Sequence, residues 1–182
     1  IVLAGIAVHA LAQTALMALK LTADPERELA SIEYWIMGSL NGVSLQGAAG
    51  NLSVCAFCVL LLILLHRQIL LLSAEEGEAR MLGVPVGGLR LGVLLVATLA
   101  VSCVVSLTGL ISFVGLLAPH IARLLTRNNQ KGTMLLSGCI GGVLLVAADM
   151  LARSVAATEL PVSIFTSLIG APFLISLIAR RR

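Results

Sequence analysis

Five apolar runs, each close to the length of a bilayer crossing, dominate this chain: about Ile1 to Leu21, Ala48 to Leu65, Leu89 to Leu107, Met134 to Leu151 and Pro161 to Ala179. A helix needs roughly 20 apolar residues to cross the hydrocarbon core, so each run reads as a spanning helix. Hydrophobic residues make up 59% of the chain and charged residues 12%, with a mean hydropathy of +1.06, which excludes a soluble domain. The first residues, IVLAGIAVHA, carry no basic n-region or small-residue cleavage site, and the chain reads as a piece of a longer protein.

Between the third and fourth runs lies GLISFVGLLAPHIAR, Gly109 to Arg123, apolar but punctuated by Gly109, Gly115 and Pro119. Lipid offers no hydrogen bonds, so freed backbone at membrane depth must be received by protein or a wet cavity. The stretch therefore predicts a broken sixth crossing over Leu110 to Leu125, inside a helical assembly that binds or moves something. Charge tests the count. With six crossings, one side holds Arg67, Arg80, Arg90, Arg123, Arg127, Lys131 and Arg180, Arg181 and Arg182 against Glu75, Glu76 and Glu78; the other holds only Lys20, Arg27 and Arg153 against Asp24, Glu26, Glu28, Glu33, Asp149 and Glu159. Basic residues favour the cytoplasmic side, which places the 66–90 loop and the C-terminus there. Five crossings would scatter the same charges over both faces.

Polar residues inside the runs are the candidates for function. Gly5, His9 and Gln13 recur every four residues on one face of the first helix, where they serve either neighbouring helices or a wet path. Asp149 and Arg153 stand four apart near the outer end of the fourth run, a pairing distance on a helix. Gly138 and Gly142 make a GxxxG spacing, and Gly170-Ala171-Pro172 is read as a second helix interruption. Asp24-Pro25 suits a turn opening a short helix, and Trp35 marks the outer interface. The loop SAEEGEARMLGVPVGGLR, Ser73 to Arg90, predicts a short helix and a bend, either solvated or held against a partner surface.

Enzymatic and metal chemistry find little support. There is no G-x-x-x-x-G-K-[ST] phosphate loop, so the chain itself is not an ATPase, and His9, His66 and His120 lack metal-ligand neighbours at helical spacing. Cys55, Cys58, Cys103 and Cys139 all lie in apolar runs and are expected to pack as buried apolar side chains.

Several blocks, in order, resemble the permease subunits of type II ABC importers for iron-siderophores, haem or cobalamin: Trp35-Ile36-Met37-Gly38-Ser39-Leu40, Glu78-Ala79-Arg80-Met81-Leu82-Gly83-Val84, Gly109 to Arg123, Ala148 to Arg153, Glu159-Leu160-Pro161 and Ile169 to Phe173. The resemblance implies an all-α polytopic membrane protein, this chain being the C-terminal six helices of a ten-helix permease, with 1–182 part of one transmembrane domain and 66–90 a cytoplasmic coupling loop. It implies import of an iron-siderophore-type chelate across the bacterial inner membrane, with no catalysis and no cofactor in this chain. ATP would be used by two cytoplasmic ATPase subunits. The other implied partners are a second permease, identical or paralogous, a periplasmic or lipid-anchored substrate-binding protein, and lipid, with no nucleic acid. Glu76, Glu78, Ala79, Arg80, Leu82 and Gly83 would contact the ATPase, and Arg153 the binding protein. The first helix would match the pore-lining one, which raises His9 and Gln13 as pathway residues. Gly109, Gly115, Pro119, Gly170 and Pro172 would be structural helix breaks. The alternative is an ion-coupled secondary transporter, which also uses broken helices but needs titratable groups at mid-membrane.

Overall fold

Asp24 and Pro25 turn the chain sharply after its first helix: the Asp24 carbonyl accepts from the Glu28 and Leu29 amides at 3.1 and 3.0 Å, and its own N–H donates to Glu28 Oε2 at 3.1 Å. The computed structural model describes residues 2–25, 27–41, 43–71, 86–127, 131–155 and 160–179. Among these, all regular structure is helical: α1 Val2–Thr22, α2 Glu28–Met37, α3 Leu45–Leu64, α4 His66–Leu71, α5 Val86–Thr108, α6 Val114–Thr126, α7 Lys131–Val155 and α8 Val162–Ala179.

The five apolar runs all form helices. Of these, α1, α3, α5 and α7 have the length and apolarity to cross a membrane, while α8 is a shorter apolar helix, as is α6 from the broken stretch between the third and fourth runs. Two packed groups form the body. Helix α3, capped by the Ser44 hydroxyl on the Gly47 amide at 3.2 Å, lies along α5, and Asn51 Nδ2 donates to Ser106 Oγ at 3.0 Å between them. Helix α6 lies along α7, burying Leu117, Ala118 and Ala122. Small residues allow this approach. The closest glycine is Gly141, where an added Cβ would stand 3.5 Å from Ala118 Cβ; Gly138 and Gly142 face open space, so the GxxxG pair is not the packing face here. Helix α8 closes on α7 through Ala148, Ala152 and Val162, with Leu40, Leu160 and Phe165 around them.

The interruption in the sixth crossing is narrower than the glycines and proline suggested. Helix α5 ends at Thr108, Gly109 to Phe113 are irregular, and α6 then runs unbroken through Gly115 and Pro119 to Thr126. Likewise α8 passes through Gly170 and Pro172 without a break. The reason is solvent. A proline in a helix frees one carbonyl, that of Gly115 or Leu168 here, whereas unwinding the helix in hydrocarbon would expose several backbone groups at once. Thirteen helical residues reach only about 20 Å, and the irregular lead-in supplies the rest of the crossing. At the far end, the Thr126 hydroxyl of α6 and the Thr133 hydroxyl of α7 meet at 3.0 Å.

Three helix ends meet at the other end of the bundle. Gly38 follows α2 with φ +75° and Gly109 follows α5 with φ +69°, conformations that only glycine adopts without strain. The Ser39 amide donates to the Thr108 carbonyl at 2.8 Å, the Val162 amide at the start of α8 donates to the Gly38 carbonyl at 3.1 Å, and the Ser163 hydroxyl donates to the Met37 carbonyl. This places the connections around Ser39, Gly109 and Val162 on one side, the grouping that the charge count assumes. A Cβ on Gly38 would strike the Leu110 carbonyl, and one on Gly109 the Trp35 carbonyl and, at 3.1 Å, the Gly38 Cα. Gly38→Ala and Gly109→Ala are each expected to destabilise the full-length protein by at least about 1–3 kcal/mol from backbone strain alone. The thermal unfolding midpoint of each purified variant checks this, and a wild-type midpoint for both would show that these ends do not meet as described.

Candidate functional site

The rim of the three-end junction carries the charged candidate. Asp149 and Arg153 lie one turn apart on α7, directly after the buried Ala148 and Ala152 that pack on Val162. Arg153 Nε donates to Asp149 Oδ2 at 2.8 Å, as the four-residue spacing predicts. The guanidinium side chain is 55% exposed and the carboxylate 23%, so the cation projects outward from an anion seated closer to the protein. Ser39, Asn41, Ala152 and Leu160 join the pair around a cleft of about 20 Å³. Arg153 thus stands beside the segment that follows α2, an arrangement that sequence spacing alone does not give.

A second cluster lies where α6 passes α8. Phe113, the residue before α6, has φ +65°, a left-handed conformation that is strained for an aromatic side chain. Gly170 on α8 is buried directly against it. One turn further along, His120 meets Phe173 edge-on, with ring centroids 5.6 Å apart. Its Nε2 is buried with no hydrogen-bond partner among the described residues, and so is that of His66 at the start of α4. Gly170 and Pro172 therefore matter here as contact positions, Gly170 for what it leaves out and Pro172 as part of an open groove of about 580 Å³ with Ser163, Ile164, Ser167, Leu168 and Ala171.

The first-helix candidates stand apart from both clusters. His9 and Gln13 are exposed, α1 has no buried residue, and the adjacent Thr14 hydroxyl turns back to the Ala10 carbonyl at 2.9 Å. Contact between α1 and α2 runs through Lys20 Nζ and Glu33 Oε1 at 3.4 Å and an apolar crevice of about 350 Å³ lined by Leu16, Leu19, Ser31, Ile32 and Trp35. Glu76, Glu78, Ala79, Arg80, Leu82 and Gly83 lie outside the described residues, which bracket them with α4 and α5. The cysteines divide: Cys58 is buried, Cys55 and Cys103 are half-buried, and Cys139 is exposed, against the expectation of burial for all four. Among the described residues no group of three or more His, Cys, Asp or Glu could hold a metal ion.

Sequence reasoning missed Gly38, Phe113 and Ser163 as junction residues. Gly38 had a usable signal, a glycine directly after the apolar end of a short helix, where a left-handed cap is common. Phe113 and Ser163 had none, because their roles depend on which helix passes beside them.

Comparison with known proteins gives consistent results. A family model described as the FecCD transport family matches residues 1–180. The cobalamin import system permease protein BtuC of Halobacterium salinarum is 38% identical over 183 residues, covering 100% of this chain and 48% of that protein. The molybdate import system permease protein MolB of Haemophilus influenzae is 33% identical over 172 residues, 94% of this chain and 51% of that protein. The chain thus spans about half the length of the curated relatives it matches. Among solved structures, a metal-chelate type ABC transporter in an inward-facing conformation superposes with a TM-score of 0.91 at 32% identity, over 97% of this chain and 59% of that one.

Gly170→Ala places a Cβ on Phe113 Cβ and Cγ, so it should lower the thermal unfolding midpoint of the full-length protein. Adding Phe113→Gly removes the struck atoms and suits the positive φ, and should recover part of that loss. A double variant no more stable than Gly170→Ala alone would contradict the contact.

Proposed function

This chain belongs to the FecCD transport family, and from that membership we propose that it forms part of the permease subunit of an ATP-binding-cassette importer. The observation that carries the reading is the crossing at Gly109 to Thr126, whose irregular segment is received by protein at a junction of helix ends rather than left to lipid. Such interrupted crossings are common beside transport paths. The permease would pair with a second permease, identical or paralogous, and do no chemistry itself. Two cytoplasmic ATPases would drive it, consistent with the lack of a phosphate loop in the sequence.

The 66–90 loop would dock on the ATPase through Glu76, Glu78, Ala79, Arg80, Leu82 and Gly83. Its position between α4 and α5 supports this, since α5 leads from the loop to the three-end junction. Arg153, on the opposite rim, would meet acidic residues of a substrate-binding protein, and its exposure and pairing support that role. The basic residues of the 66–90 loop, the 123–131 turn and the C-terminus support a multi-pass orientation in the bacterial plasma membrane with these segments in the cytoplasm.

For the cargo, relatives named for cobalamin and molybdate, and a metal-chelate type structural neighbour, support a metal-containing chelate or oxyanion. Within that class we assign the iron-siderophore type on the resemblance of the sequence blocks. His9 and Gln13 would line the path from α1.

The test uses the full-length permease reconstituted with its ATPase and binding protein in vesicles, with uptake of a radiolabelled ferric siderophore as readout. ATP inside the loop-facing compartment should be required, and scrambling Glu76 to Gly83 should abolish both uptake and ATPase co-purification. Uptake that runs on an imposed ion gradient without ATP, or an ATPase that stays bound to the scrambled loop, would overturn the proposal.

A further inference from the structure

Arginine is a flexible residue with a rigid end. Its guanidinium is planar, so fixing one N–H direction fixes where the others point. In Arg153 one N–H direction is fixed at Nε, held by Asp149 Oδ2 at 2.8 Å across one helical turn. The anchor itself is firm. Ala148 and Ala152, on either side of Asp149, are 1% and 3% exposed and lock this turn of α7 against Val162. The carboxylate sits on the protein side and the guanidinium on the solvent side, beside Ser39 and Asn41 at the end of α2.

Helix support is a poor explanation for this pair. An exposed pair at this spacing adds little to stability, and α7 is already a 25-residue helix packed against α6 and α8. Orientation of the cation is the larger physical effect. We propose that Asp149 is a positioning residue, which holds the Arg153 guanidinium in the plane that receives a carboxylate of the substrate-binding protein. The inference rests on the docking role given to Arg153 above. Asp149 does not itself meet the partner. It lowers the ordering cost that Arg153 would incur on binding without this anchor. Its like charge toward the incoming carboxylate is weakened by water at the exposed rim, where the dielectric is high.

The experiment measures the affinity of the purified binding protein for the complete transporter in nanodiscs, at low salt, for wild type, Arg153→Ala, Asp149→Ala, Asp149→Asn and the double Asp149→Ala/Arg153→Ala. Arg153→Ala weakens docking. Asp149→Ala weakens it by roughly two- to tenfold, the range set by ordering one long side chain. Asp149→Asn keeps an oxygen acceptor for Nε and retains most of the wild-type affinity, and Asp149→Ala adds nothing once Arg153 is gone. A merely structural role would give the same loss with or without Arg153, and that result would overturn the inference. So would wild-type docking by Asp149→Ala beside a weakened Arg153→Ala, an outcome that leaves the docking reading intact. Arg153→Ala that docks like wild type overturns the docking reading and the inference together. Basal ATPase activity of each assembled complex reports folding, and Asp149→Leu, which removes the acceptor but keeps the side chain's bulk, supplies the same decision if Asp149→Ala fails to assemble.

Discussion

Two backbones without side chains approach each other at Gly38 and Gly109, and the rest of the architecture depends on that contact. A Cβ on Gly109 would lie 3.1 Å from the Gly38 Cα and strike the Trp35 carbonyl, so no other residue type lets the ends of α2 and α5 come so close. Once they meet, the Ser39 amide and Thr108 carbonyl pair, and the Gly38 carbonyl is left facing the first amide of α8. Helix ends carry unpaired amides and carbonyls that lipid cannot satisfy. Here three ends supply partners to one another, which lets the chain turn at the membrane boundary without relying on water for every group.

The same requirement explains why the sixth crossing is broken where it is. Gly109 to Phe113 leave helical geometry beside the junction, where protein atoms lie close, and α6 resumes for the remainder, where only regular hydrogen bonding is affordable. Pro119 and Pro172 then sit inside continuous helices, because each removes a single bond and unwinding would remove more. Phe113 shows the local cost. Its left-handed backbone is held in place by the passage of α8, which at Gly170 has no side chain to keep it away.

The sequence was most legible where a bilayer imposes length. All five apolar runs are helices, the Asp24-Pro25 turn opens α2, and Asp149 pairs with Arg153 at the spacing that suggested it. It was least legible where residues act through tertiary neighbours. Gly109, Gly115, Pro119, Gly170 and Pro172 look alike as breakers in one dimension, yet of these five only Gly109 follows the end of a helix, and Gly170 matters because Phe113 lies across from it. Gly138 and Gly142 carry a packing motif, while the glycine that approaches another helix is Gly141, chosen by which face of α7 meets Ala118. The cysteines failed for a related reason. Hydropathy places Cys139 in an apolar run but cannot say whether that face meets protein or lies open.

Helix α5 joins the two ends of this architecture. It is 23 residues long, or about 35 Å, and begins at Val86, immediately after the segment that carries Glu76 to Gly83. Its other end is tied to Ser39 by a hydrogen bond and to Gly38 by direct backbone contact. A packed helix of this length moves as a rigid body rather than absorbing displacement along its axis, and α3 lies against it. Movement at Val86 must therefore shift Gly109 relative to its neighbours or carry α2 along with it. The glycine contact favours the second outcome, since a sliding interface needs clearance and this one has none. The rim residues Ser39 and Asn41 lie just after α2, so the surface beside Arg153 connects through the Gly38–Gly109 contact to α5, whose other end begins at Val86.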